Sequence, residues 1–373
     1  MSRVLVRKVI IDDIEPMENA DTLEVARVTG WRCVVKKGDF KKGDIALYFE
    51  CDCALNPYDT RFEFLKERCY KKFNLHGKLF DECIRIRTMK LRGVLSQGLL
   101  MHPEMFCEVR NKLLGEDCSD VLAVRHYDEV AEKFVTETAP MKPADQKGLF
   151  PSCCPKTDEE RIQNVDDETL RRILLDDKLF EVTEKLDGTS TTIGWSKSYR
   201  PDDPLFVCSR NFELKDMPSA YWDMVHKLEL DKKLEQYCLE RGHEIAIQGE
   251  LTGPGIQNNP DKQQERSFHV FRIWDIETQR WLDPTDRYGV CQMLGLNHVP
   301  VLEMTDILKF MPMPPHEPDK WCAEALQELR DNILKYADGK TANGNLREGV
   351  VFKAYDGSFS FKAVSNNYLL SRK

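Results

Sequence analysis

No stretch of the sequence holds the roughly 18 consecutive apolar residues that a membrane-spanning helix needs, so no such helix and no membrane partner are expected. The first residues, MSRVLVRKVIIDDIEP, lack both a long apolar core and a small-residue cleavage site, which speaks against a secretory signal. Zinc-ligand spacing is missing as well. Cys51-x-Cys53 and Cys153-Cys154 do not match it, and no paired CxxC motifs occur. The thirteen cysteines, odd in number and scattered, read as reduced intracellular thiols that pack as small hydrophobes. Internal repeats and low-complexity tails are absent. An excess of positive charge is lacking too: 54 Lys and Arg face 63 Asp and Glu, a net charge of −9. That balance argues against a surface coated for nucleic acid. What is present is a globular composition, 41% hydrophobic and 31% charged, over 373 residues, a length comfortable for two domains. The expected setting is intracellular, cytoplasmic or nuclear.

The charge is not uniform. Between Arg61 and Arg92 there are ten Lys or Arg and four Asp or Glu, a local excess of +6. A basic surface of that kind binds phosphates while the whole molecule stays acidic. Around it lie β-prone runs: Val4 to Ile11, Leu23 to Gly30, Trp31 to Asp39, Ile45 to Glu50, Glu82 to Thr88 and Ser96 to Met101, with Asn19-Ala20-Asp21 as a turn. Several short strands with Gly-containing turns suggest a small barrel. Asp128 to Glu137 reads as a short helix, and Ala139 to Gly148, with two prolines and a glycine, as a linker, placing a boundary near residue 140. Beyond it, Asp158 to Lys178, Pro218 to Cys238 (opened by Pro218) and Asp319 to Tyr336 read as helices. Ile162, Val165, Leu170, Ile173 and Leu174 form an apolar stripe in the first; Cys322, Leu326, Leu329 and Ile333 line a face of the third. Strands are expected at His243 to Leu251, Ser267 to Ile276, Gly349 to Ala354 and Ser358 to Val364. Hairpins with occasional helices give an α+β domain rather than a doubly wound one.

The chain is organised around Phe180 to Trp195, FEVTEKLDGTSTTIGW. Alternation of Phe180 and Val182 with Glu181 and Thr183 marks a half-buried strand. Asp187-Gly188 marks a tight turn, and Thr191 to Trp195 a second strand, so the stretch reads as a hairpin. Lys185 ends the first strand between Glu184 and Asp187. A lysine amine attacks only when neutral, so burial or a nearby cation must lower its pKa before it becomes a nucleophile. Taken alone, Lys-Leu-Asp-Gly is also compatible with a surface lysine in a hairpin.

Five further blocks follow in order: Ser209-Arg210 in LFVCSRN, Glu250 in IAIQGEL, Phe268 to Ile276 (FHVFRIWDI), Glu348 to Lys353 (EGVVFK), and Lys362 in SFSFKAVSNNYLL. Together with Lys-x-Asp-Gly they resemble the ordered motifs of covalent nucleotidyltransferases. Pro155 to Asn164, PKTDEERIQN, resembles RNA ligases of the phage type. The N-terminal region resembles the branch of Deinococcus and Naegleria type, which carries an N-terminal OB module. The resemblance spans nearly the whole chain. It implies an α+β architecture: an OB-like β-barrel that binds nucleic acid, with a short helical linker, over 1–140, and a nucleotidyltransferase (ATP-grasp-like ligase adenylyltransferase) domain of antiparallel sheets with flanking helices over 141–373.

The implied activity is an ATP-dependent RNA ligase using ATP and Mg²⁺ (or Mn²⁺). It would act as a monomer on RNA with 3′-hydroxyl and 5′-phosphate ends, a nicked duplex among the possible forms. The resemblance implies Lys185 as the nucleophile that forms a lysyl-adenylate. It places Glu184 at adenine N6, Ser190 near phosphates or ribose, Arg210 on ribose or phosphate oxygens, Glu250 on ribose hydroxyls, and Phe271 on the adenine face, within a motif that includes Asp187 and Gly188. Phe268, Phe271 and Trp274 cannot all face the base. Glu348 would hold a hydrated metal ion, and Lys353 and Lys362 would neutralise the α-phosphate. The last block departs from the Lys-x-Lys of related ligases, since Ser360 and Val364 flank Lys362 at that spacing. Lys71, Lys72, Lys78, Arg85, Arg87, Lys90 and Arg92 are the candidates for RNA backbone contact. Two alternatives remain: a GTP-using capping enzyme, and a nucleic-acid-binding protein with an inactive transferase domain. The first carries its OB module after the catalytic domain, whereas this sequence ends 11 residues beyond Lys362.

Overall fold

The computed structural model describes residues 4–18, 20–75, 78–127, 145–312 and 321–371. Asn19 of the expected turn, the helix expected over 128–137 and most of the expected linker lie outside them. The chain forms two compact units, Met1–Lys142 and Pro143–Arg372.

The first unit is built from short antiparallel strands. Ile45–Phe49 lies between Val6–Ile10 and Leu99–Met101, and Leu23–Val28 between Asp13–Pro16 and Trp31–Lys36. A third sheet joins Arg125–His126, Cys53–Leu55, Lys78–Arg85 and Tyr70–Leu75. Two-residue periodicity is visible where one face is buried: Trp31, Cys33 and Val35 point inward and their neighbours do not. Phe49, Phe62 and Phe106 meet in the core with ring centroids 5.5–6.0 Å apart. The strand expected over Ser96 to Met101 is two strands, Val94–Ser96 and Leu99–Met101. Gly98 breaks it: its φ is +105°, and a Cβ there would lie 2.4 Å from the Tyr48 ring. The strand expected at Glu82 to Thr88 starts earlier and ends at Arg85.

The second unit holds two sheets, each with its own helices and core. A five-stranded sheet runs in the order Glu160–Arg161, Ser360–Val364, Gly349–Ala354, Phe180–Lys185, Val301–Thr305. Its core face carries Phe180, Val182, Phe352 and Phe361 against Leu326, Leu329 and Ile333 of the helix Ala323–Ala337, with Phe352 and Phe361 stacked at 4.7 Å. An eight-stranded sheet is centred on Thr189–Trp195, Ile245–Thr252 and Ser267–Asp275, and packs on helices Ala220–Lys227, Leu230–Arg241 and Pro284–Leu294.

Several expected elements are corrected. Phe180–Lys185 and Thr189–Trp195 are not a hairpin. The first pairs with Val301–Thr305 and Gly349–Ala354, the second with Leu205–Cys208 and Ile245–Thr252. Both strands are already paired on both edges, so Asp187-Gly188 carries the chain from one sheet to the other. The helix expected from Asp158 occupies only Asp167–Leu175. Asp166 caps it by accepting from the Thr169 amide at 2.7 Å, and Val165 is extended. The helix expected over Pro218 to Cys238 is two helices broken at Glu229, whose φ is +54°. Its cap is Ser219, so Pro218 lies outside the first turn. Cys322 is an exposed N-cap residue and does not join the buried face of the last long helix. Ten cysteines are buried; Cys107 and Cys322 are exposed and Cys153 is half-buried. Among the described residues no helix is long and apolar enough to cross a membrane.

Candidate active site

Strand register puts Glu181, Lys185, Lys353 and Lys362 of the five-stranded sheet on one face. Residues opposite each other in antiparallel pairs share a face. Ser360, Lys353 and Glu181 form one row, Lys362, Val351 and Thr183 the next, and Val364, Gly349 and Lys185 the third. The phenylalanines take the other face, into the core. This charged face and the edge of the eight-stranded sheet enclose a cavity of about 330 Å³. All eleven residues singled out from the sequence line it: Glu184, Lys185, Asp187, Gly188, Ser190, Arg210, Glu250, Phe271, Glu348, Lys353 and Lys362.

At its centre the Lys185 amine donates to Glu348 Oε2 at 2.7 Å. Glu250 Oε1 accepts from the Gly188 amide at 3.1 Å. Glycine is required there, because a Cβ on Gly188 would lie 2.3 Å from the Leu251 carbonyl oxygen. Asp187 accepts from the Tyr368 hydroxyl. Ser190 lies opposite Glu250 in the register, and Thr189 exchanges a 2.9 Å hydrogen bond with Tyr221. Phe268 is in the core and Trp274 packs on Trp281, so of the three aromatic candidates Phe271 alone lines the cavity. Arg210 and Lys362 both reach Asp158, at 3.4 and 2.7 Å.

The electrostatics differ from the expectation at Lys185. Burial disfavours its charge, but Glu348, Glu250 and Asp187 outweigh it, and the amine is held above its ordinary pKa. With these neighbours the amine is an ammonium at neutral pH. Glu250 is the counterpart: burial first, then the Glu348 charge, push its carboxyl up to about 7 against the opposing pull of Lys185. Burial also raises Glu184. Lys353 behaves in the opposite sense to Lys185. It is buried, donates to the Phe271 carbonyl at 2.8 Å, and among the described residues has no carboxylate within 4 Å. Burial, Arg287 and Arg272 bring it down to about 7. Burial likewise lowers Lys362, with Asp158 opposing.

The donor set fits a hard divalent cation. Glu348, Glu250 and Asp187 crowd carboxylate oxygens around one ammonium, and Glu250 is destabilised as an anion, which is the chemistry that hydrated Mg²⁺ or Mn²⁺ relieves. Among the described residues no group of three or more Asp, Glu, His or Cys is arranged to cage a metal by itself.

Sequence pattern misses some residues of the site. Asp158 and Glu159 line the cavity; they stand in PKTDEERIQN, where the local pattern reads as the start of a helix. Glu181 and Arg287 form a fully buried ion pair at 2.6 Å behind Lys353, with Arg287 also donating to His298 at 2.8 Å. The sequence carries no signal for this pair: the alternation of Phe180 and Val182 with Glu181 and Thr183 reads Glu181 as a residue of the polar face, whereas it is fully buried. Ser360 donates to Glu159 and Val364 is buried, so neither adds a cation.

Within the first unit, Arg85 is bound to Asp52 at 2.6 Å and lies 4.0 Å over Tyr127, and Arg61 is bound to Asp59 and Glu108. Lys71, Lys72, Arg87, Lys90 and Arg92 are exposed; the Lys78 side chain lies outside the described residues.

Residues 178–364 match the family model of RNA ligases, and residues 4–103 match an OB-fold domain model. Comparison with curated proteins finds no match. Solved structures of Naegleria gruberi RNA ligase are similar over the whole chain. A lysine-substituted mutant with AMP and Mn shares 30% identity at a TM-score of 0.75, covering 99% of each chain. The enzyme with PPi shares 31% at 0.73, covering 99% of this chain and 98% of that one. A mutant with ATP and Mn shares 31% at 0.74, covering 99% of each. With the motif residues gathered around one cavity and the similarity running from end to end, this chain belongs to the RNA ligase family.

Proposed function

We infer that the protein is an ATP-dependent RNA ligase that joins 3′-hydroxyl and 5′-phosphate ends through a lysyl-adenylate. The observation that carries this reading is Lys185, a single amine at the centre of a cavity whose walls offer an aromatic face, carboxylates and three further cations.

In the first step the Lys185 amine attacks the α-phosphorus of ATP, a P–N bond forms and the bond to pyrophosphate breaks. The AMP then passes to the RNA 5′-phosphate, and the 3′-hydroxyl attacks that adenylated phosphate, releasing AMP. Glu348 is the residue to hold Mg²⁺ or Mn²⁺, with Glu250 and Asp187 beside it, and the bound ion would supply charge neutralisation at the leaving pyrophosphate. With Glu348 so engaged, Lys185 loses its nearest electrostatic partner, and burial then favours the neutral, nucleophilic amine. Lys353, with no carboxylate within 4 Å among the described residues, is a cation site ready for an α-phosphate oxygen; Lys362 and Arg210 add charge at the rim. Phe271 is the stacking surface for adenine, and Glu184, raised by burial, faces the base as a hydrogen-bonding partner. The exposed cations Lys71, Lys72, Arg87, Lys90 and Arg92 of the first unit make it the RNA-binding module, in single-stranded or nicked-duplex form.

The test is covalent labelling. Incubated with ATP labelled at the α-phosphate, the protein acquires a denaturation-resistant adduct, and Lys185→Ala does not. The same variant retains some sealing of pre-adenylylated RNA, because that step needs no lysine nucleophile. Labelling of Lys185→Ala, or a preference for GTP, would overturn the assignment.

A further inference from the structure

Each lysine in the cavity has a different counter-ion arrangement. Lys185 has Glu348, Lys353 has none within 4 Å among the described residues, and Lys362 has Asp158. Asp158 differs from Glu348 in its placement. Its carboxylate is about half exposed and spans two cations at the rim, Lys362 through Oδ1 at 2.7 Å and Arg210 through Oδ2 at 3.4 Å.

The segment carrying it is fastened on both sides. The Pro155 carbonyl accepts from Gln248 at 2.7 Å. Glu159 accepts from Ser360 and faces Arg272 at 3.6 Å. Glu160 and Arg161 pair in parallel with Phe361 and Lys362. The backbone therefore holds Asp158 at the cavity mouth, where its carboxylate is about half exposed.

We propose that Asp158 is a resident anion of the phosphate position, a carboxylate that occupies Lys362 and Arg210 until the phosphates of ATP displace it. This rests on the reading of the cavity as the ATP site. A phosphate and a carboxylate cannot share the same two cations a few ångströms apart without repelling each other, so the bound nucleotide and the Asp158–Lys362 contact are alternatives. Two consequences follow. The empty site never presents three uncompensated cations around a 330 Å³ cavity. Phosphate ligands of every kind, ATP and pyrophosphate alike, bind against a competitor tethered to the protein, which favours release of pyrophosphate once the lysine has been adenylylated.

The experiment compares wild type with Asp158→Asn. The amide is close in size to the carboxylate and the site is at the surface, so the variant folds, which a thermal melt verifies. The ATP concentration giving half-maximal adduct formation in single turnover is measured, along with inhibition by pyrophosphate and by adenosine. An exposed ion pair of this type corresponds to about a two- to fivefold effect. The expected result is that Asp158→Asn needs about two- to fivefold less ATP and is inhibited by correspondingly less pyrophosphate, while inhibition by adenosine, which has no phosphate, is unchanged. Equal or weaker ATP binding by Asp158→Asn would make the carboxylate a positioning group for Lys362 and overturn the proposal. A shift for adenosine as large as that for ATP would overturn it too, since the effect would then not be on phosphate. Wild-type protein that forms no ATP adduct at all would sink the reading of the cavity instead, so the two failures are distinguishable.

Discussion

Replacing Lys353 by methionine should make the nucleotide-free protein more stable near neutral pH while impairing its chemistry. Lys353, Arg287 and Arg272 face Glu181 and Glu159 in the buried cluster behind the cavity, three cations to two carboxylates. Methionine keeps the length of the side chain and balances the cluster. The amine is held at about 7 rather than its ordinary 10.5, chiefly by burial and then by the two guanidinium groups. The sign follows from the depressed pKa of a base. Below pH 7 the folded state must carry a charge it disfavours, and the cost is complete. Between pH 7 and 10.5 the unfolded chain binds the proton and the folded one does not, so the penalty shrinks as pH rises. The difference between the two pKa values corresponds to about 5 kcal/mol as a ceiling. Relaxation and water entry at a cavity wall bring the expected gain for Lys353→Met nearer to about 2 kcal/mol. Denaturant melts of both proteins from pH 6 to 10 provide the assay, and shared effects of pH cancel in the difference. The gap should be widest at pH 6–7 and close toward pH 10, and adduct formation by the variant should fall at least tenfold. A variant that is less stable at pH 7, or a gap that does not change with pH, refutes the account of Lys353 as a buried base whose charge the cluster does not balance.

Two other outcomes are expected. Reversing the exposed charges Lys71, Lys72, Arg87 and Lys90 to glutamate should leave lysine adenylylation intact while weakening RNA binding. The slope of log affinity against log salt should fall by roughly 0.7–0.9 for each phosphate that is no longer neutralised, and wild-type affinity and slope in a folded quadruple variant would make the first unit something other than an RNA clamp. Asp166→Ala should cost about 1 kcal/mol of stability by removing the cap of the helix Asp167–Leu175, and a denaturant melt showing no loss would mean that packing of Leu170, Ile173 and Leu174 alone holds the helix.

The site was legible in the sequence because the chemistry is concentrated in short blocks. Each block needs a particular residue type at a particular spacing, and a strand preserves that spacing in space. Lys185, Lys353 and Lys362 share one wall of the cavity because alternate residues of paired strands share a face, while Glu348 just precedes its strand and Glu250 comes from the other sheet. The core stripes were legible for the same reason, as with Leu326, Leu329 and Ile333 at helical spacing. Phe271 could not be chosen over Phe268 and Trp274, since the ladder between Ile245–Thr252 and Ser267–Asp275 shifts register between Gln248 and Gly249, and such a shift resets which residues face the cavity.

Element ends and partners belonged to tertiary structure. Local pattern reads Phe180 to Trp195 as a hairpin, because Asp-Gly between two β-prone runs is a turn signal wherever it occurs. Long-range pairing to Gly349–Ala354 on one side and Ile245–Thr252 on the other overrides it, and so makes Asp187-Gly188 the link between the two sheets. Charge states were likewise undetermined. The sequence places a lysine, but whether its amine is held up by three carboxylates, as at Lys185, or down by burial and two guanidinium groups, as at Lys353, depends on side chains up to 163 positions away, as in the Lys185–Glu348 pair. Residue types and their order carried the chemistry; the field in which those residues work arises only when the folded chain brings distant charges within a few ångströms in a medium that screens them poorly.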